Sequence, residues 1–180
     1  MTVCTIKRPA RRLLAVIALT MTLSACTGGG SDPPESKDEA LQQKPVNEVL
    51  QLVQTRAQVV ADLADGPLEG WSTNTVPCEG RGGETADDGR WYLGATANLR
   101  VAPAEQLTTL NRVRDALRQQ GYEITEDRSF ADGTRGSLSA RDPSTAITVR
   151  LTTTKALDQV AVGLLSDCYM PVDGGSPAKA

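Results

Sequence analysis

The 180-residue chain contains no histidine. That absence removes the Ser-His and Cys-His nucleophile systems, which need an imidazole base, and every His-containing zinc site. No Cys-x-x-Cys pair occurs, and neither a Gly-x-Ser-x-Gly elbow nor a convincing Ser-x-x-Lys set is found. Positive charge is also short. Nineteen Lys and Arg stand against 22 Asp and Glu, a formal net charge of −3. An acidic body argues against nucleic acid as a partner and against electrostatic adhesion to anionic lipid. The apolar run over residues 13–23, interrupted only by Thr20 and Thr22, falls below the roughly 20 residues needed to span a bilayer.

That run has a context. Lys7, Arg8, Arg11 and Arg12 precede it, and Leu23-Ser24-Ala25-Cys26 follows it. A basic segment, a short apolar core and small residues before a cut site form a secretory signal. The tetrad resembles the lipobox of bacterial lipoproteins. The resemblance implies cleavage before Cys26, a diacylglyceryl group on its thiol, and a chain held on the outer face of a membrane. One acyl chain anchors only marginally, whereas two or more anchor persistently. Removing the four basic residues of the signal would take the net charge from −3 to −7. The expected division is a signal peptide over 1–25, a lipidated cysteine and disordered tether over 26–44, one domain over 45–172 and a flexible tail over 173–180.

With Cys4 lost in the signal and Cys26 lipidated, Cys78 and Cys168 remain in an oxidising compartment. They read as one structural disulfide; a redox pair and metal thiolates are the rival readings. Residues 27–39 are polar, rich in Gly and Pro, and without apolar periodicity, as a spacer would be.

From Pro45 the pattern turns helical. Val46, Val49, Leu50, Val53, Ala57, Val60 and Ala64 share one stripe, and Gly66-Pro67 is a stop signal. Residues 68–89 read as irregular. Their glycine-dense stretch Gly80-Arg81-Gly82-Gly83 lacks a following Lys-Ser/Thr and is succeeded by acids, so it reads as a turn and not a phosphate cradle.

Residues 90–101 alternate as a half-buried strand, with Trp91, Leu93, Ala95, Ala97, Leu99 and Val101 facing one way. Pro103 opens a second helix carrying Leu107, Leu110, Val113 and Leu117. Gly121 suits the position just past its end, with Tyr122 closing over Leu117. Strands follow over 122–127, 134–141, 146–153 and 157–168, with Ile124, Leu138, Ala140, Ile147, Val149, Leu151, Val160, Val162 and Leu164 inward and Cys168 on their parity. The fold class is α+β: an antiparallel sheet of about four to five strands with two helices on one face and one disulfide.

Outward positions of these strands carry Arg100, Arg135, Arg141 and Arg150 among Ser137, Ser139, Thr148 and Thr152. Such a face suits phosphate or carboxylate groups, of which envelope polymers and lipid head groups offer many. An ordinary solvated sheet face is the plainer reading. Glu126 and Asp127, adjacent on a strand, point to opposite faces and make no catalytic pair alone. Asp87-Asp88 reads as a solvated turn, not a calcium site.

The lipobox, the tether, Trp71 followed by Cys78, the helix end at Gly121-Tyr122 and the late Cys168 together resemble the small actinobacterial cell-envelope lipoproteins of the LppA-like sort. That likeness implies an envelope location and carries no catalytic residues with it. The expectation is a non-enzymatic binding module with a membrane partner through Cys26 and an envelope polymer or protein partner. It needs no nucleic acid, metal or cofactor. The alternatives are a carrier or sensor for a small apolar or lipid ligand, and a hydrolase using carboxylates.

Overall fold

The computed structural model describes residues 41–80, 82–154, 158–172 and 174–178. The signal, the lipobox with Cys26, and most of the tether lie outside them.

Two helices and six strands follow in the order α1 (Val46–Ala64), β1 (Leu68–Pro77), β2 (Trp91–Arg100), α2 (Gln106–Gln119), β3 (Glu123–Ser129), β4 (Gly136–Arg141), β5 (Thr148–Thr153) and β6 (Gln159–Leu165). The strands form one antiparallel sheet in the order β1-β2-β6-β5-β4-β3. After β2 the chain crosses through α2 to the far edge, and a meander from β3 to β6 brings it back beside β2. α1 packs on β2 and β6, and α2 on β3, β4 and β5. Both helices therefore cover the same face, where one apolar core collects the inward residues of the four central strands.

Periodicity explains why these segments bury what they bury. On α1 the 3.6-residue repeat puts Val49, Val53, Ala57, Val60 and Ala64 under the helix, and all five are buried. The helix ends on Asp65, which takes the left-handed conformation (φ 57) one residue before Gly66. On β2 the two-residue repeat buries Trp91, Leu93, Ala95, Ala97 and Leu99. α2 closes in the expected Schellman end. Gly121 takes φ 86, its N–H donates to Arg118 O, and Tyr122 N–H donates to Leu117 O at 3.0 Å.

Two features depart from the sequence pattern. Residues 68–77 form a ten-residue edge strand, β1, which makes six strands instead of four to five. It escapes pattern reading because it carries exposed Ser72, Thr73 and Asn74 and a bulge at Gly70-Trp71, with Gly70 at φ 65. Its strand state comes from pairing with β2. The second departure is at the end of β6. The strand stops at Leu165, and Ser166 and Asp167 break its alternation, so Cys168 is only half-buried and Tyr169 enters the core against Trp91.

The disulfide is formed as expected, between Cys78 after β1 and Cys168 after β6, with Cα atoms 6.3 Å apart. The glycine-rich stretch is a turn, in which Gly80 N–H donates to Glu84 O and Glu79 pairs with Thr85. Thr75 Oγ1 donates to Pro177 O at 2.8 Å, and Ala178 packs against the core, so residues past β6 return to β1.

Candidate functional site: the open face of the sheet

With both helices on one side, the other face of the sheet is left to the alternate residues. β2 offers Thr96 and Asn98, β6 offers Ala161 and Gly163, β5 offers Thr148, Arg150 and Thr152, and β4 offers Ser137, Ser139 and Arg141. The register lines up Thr96, Gly163, Arg150 and Ser139 in one row across four strands. Gly163 has no side chain beside Arg150; a Cβ built there would lie 3.9 Å from that of Arg150. The arginine thus stands in the middle of the sheet beside a gap, and it is exposed.

The four arginines singled out from the sequence do not act together. Arg100 lies two rows and two strands away from Arg150, where it pairs with Glu69 at 3.1 Å and Asp158 at 3.5 Å. Those hydrogen bonds and charges, Glu69 first, push its pKa further up. Arg135 precedes β4, pairs with Asp132 and lies 5.4 Å from the Phe130 ring, which Arg128 also flanks at 5.2 Å. Arg141 is a diagonal neighbour of Arg150 and pairs with Asp167 at 3.4 Å. Among the described residues, the Arg150 guanidinium has no ion pair and no hydrogen bond.

Three hydroxyls surround it in the same condition. Thr148 and Thr152 sit two positions either side on β5, and Thr96 lies across Gly163; among the described residues none of these hydroxyls bonds another group. Ser139 and Ser137 are committed, Ser139 accepting from Thr125 Oγ1 at 3.0 Å and Ser137 donating to Glu126. A guanidinium with vacant donors beside three hydroxyls can hold two or three oxygens of one anionic group.

Three of the four acids in the adjacent acidic pairs, Asp88, Glu126 and Asp127, are occupied structurally. Glu126 accepts from Ser137 on the open face while Asp127 accepts from Arg114 of α2 at 3.1 Å, so the two point apart as expected. Asp88 accepts from the Arg90 side chain, and that bond, aided by backbone N–H groups, brings its carboxyl down to about 2. Among the described residues no three potential ligands converge on a metal position. No described helix is long and apolar enough to cross a membrane.

One residue was missed. Asp142, 5% exposed, is a buried carboxylate. Burial pushes its pKa up, but the hydroxyls of Ser144 and Thr145, the Ser144 N–H and Arg56 outweigh that and bring it to about 2. Asp-Pro-Ser signals a turn in any sequence; nothing local reveals that a helix 86 residues earlier supplies the cation.

Concavities also lie away from this face. One of about 500 Å³ lies where the start of α1 meets the 143–146 turn and residues 167–169. Another of about 440 Å³ lies between α1 and the edge strand β1. No protein-family model, curated protein or solved structure matches the chain.

Proposed function

We propose that this chain is a membrane-anchored, non-enzymatic binding module of the cell envelope, tethered through a lipidated Cys26, whose open sheet face engages anionic groups through Arg150. The observation that carries the reading is the state of that arginine. Every other arginine the sequence placed on this face is neutralised by a carboxylate, whereas Arg150 stands exposed among three unbonded hydroxyls. Exposed cations on a sheet cost little by themselves, but a row that is cleared of side chains at Gly163 leaves room for a ligand to reach the guanidinium. The net charge, −3 for the full sequence and −7 after cleavage before Cys26, gives no long-range pull on anions. Recognition at Arg150 would therefore work by contact, helped by the high local concentration of envelope polymer near a tethered protein.

The test is sedimentation binding of the purified protein to isolated cell-wall polymers carrying phosphate or carboxylate. A charge-assisted hydrogen-bonded contact is worth about 1.5–3 kcal/mol, so Arg150→Glu should weaken binding by roughly tenfold or more. Arg118→Glu on the exposed side of α2 should leave it unchanged. Equal binding by wild type and Arg150→Glu would retire the proposal.

A further inference from the structure

The two edges of the sheet are built differently. Both edge strands carry a bulge, but β3 adds Glu123, Glu126, Asp127 and Arg128 in seven residues, the charges that protect an exposed edge. β1 is ten residues long and uncharged from Gly70 to its end. Among the described residues, no backbone hydrogen bond reaches β1 from any element but β2. An edge of that length and character is a template for a further strand.

Beside that edge runs the groove of about 440 Å³, walled by Trp71, Leu68 and Pro67 on one side and by Ala57, Ala61 and Gln58 of α1 on the other. The alanines make it possible, because larger side chains at 57 and 61 would fill it. At the end of α1 the groove continues into a second concavity that shares Gln58, Ala61 and Pro67 and adds Asp62 and Asp65. Among the described residues neither aspartate has an ion-pair partner. The helix C-terminus adds negative potential there, which Arg112 offsets in part by donating to Ala64 O at 2.9 Å.

We infer that β1 and α1 together form a docking site for an extended segment of a partner polypeptide. The segment adds as a seventh strand on β1, places an apolar side chain between Trp71 and the alanines, and sets a lysine or arginine against Asp62 and Asp65. Alternation along the added strand makes this specific. Side chains two residues apart point the same way roughly 6.7 Å apart, so the basic residue follows or precedes the apolar one by two positions. Charge selects against the nearer candidates. The chain's own 27–39 stretch is acidic and has no apolar side chain, and a second copy of β1 offers Glu69 and no cation. This site is separate from Arg150, on the edge and helix side of the sheet.

Panning a random nonapeptide display library on the full-length protein tests it. The expected result is enrichment of peptides with an apolar residue two positions from Lys or Arg. Synthetic copies should protect the amides of 68–77 from hydrogen exchange. Asp62→Lys, an exposed change, should weaken them at least about threefold, the worth of a surface ion pair, and favour acidic replacements at the basic position. Trp71→Ala should weaken them further. The inference is overturned by no enrichment above background, by bound peptides that leave 68–77 unprotected, or by affinity indifferent to Asp62→Lys. Protection of 68–77 that grows with protein concentration in the absence of peptide would also overturn it, in favour of a second copy.

Discussion

Arg56, midway along α1, donates its Nε to the carboxylate of Asp142, which lies 86 residues later in the turn between β4 and β5. Ser144 N–H and both the Ser144 and Thr145 hydroxyls donate to the same carboxylate, at 2.7–2.8 Å. One buried charge thus holds the turn closed and ties the first helix to the middle of the sheet.

Stability should depend on the ionisation of Asp142. Its carboxyl titrates near 2 in the folded protein, against 3.8 ordinarily. Because the folded value is depressed, the stabilisation is complete above about pH 5 and is lost as pH falls towards 2. It amounts to about 2 kcal/mol. Denaturant unfolding from pH 7 to pH 2 is expected to show this loss, and Asp142→Asn should remove that part of the pH dependence while lowering stability at neutral pH. An unchanged acid limb in Asp142→Asn would contradict it.

The disulfide joins the chain just past β1 to the chain just past β6, positions 90 residues apart. Constraining the unfolded chain over such a loop contributes about 4.6 kcal/mol on the loop-entropy account. Replacing both cysteines by serine should therefore lower the unfolding free energy by a few kcal/mol. Free-thiol titration of the folded wild type should find neither Cys78 nor Cys168.

Thr153 Oγ1 donates to Gly136 O at 3.1 Å and accepts from Gly136 N–H at 2.9 Å, finishing the β4–β5 ladder with a side chain. Thr153→Val keeps the shape and leaves both buried backbone groups unmatched, an expected loss of about 2 kcal/mol. Gly136→Ala should be worse than Thr153→Val, because a Cβ there would lie 2.5 Å from Arg128 O. Thermal melts of the two variants give the ranking.

Lipidation is checked directly. Protein extracted with detergent from the membranes of its own host should yield an N-terminal peptide beginning at Cys26 with a diacylglyceryl-sized added mass. An unmodified Cys26 would remove the anchor from the proposed function.

Much of the architecture is legible in single segments, and the site much less so. The inward faces of α1, β2, β4 and β5 follow from residues two, three or four apart, and the helix stop at Gly121-Tyr122 from one residue's freedom at positive φ. β1 is not legible that way. Its polar, bulged sequence has no period of its own, and β2 imposes the strand by hydrogen bonding. For the same reason the break at Ser166-Asp167 hides which of Cys168 and Tyr169 turns inward.

By itself, then, the amino-acid sequence determined the α+β class, both helices and the alternation of the central strands, since these depend on near neighbours. The tertiary structure decided the strand order, the bare edge at β1, the burial of Asp142 and the isolation of Arg150 from the acids that claim Arg100, Arg135 and Arg141. Whether a charge is paired depends on what the fold brings within a few ångströms, and Coulomb attraction carries no record of sequence distance.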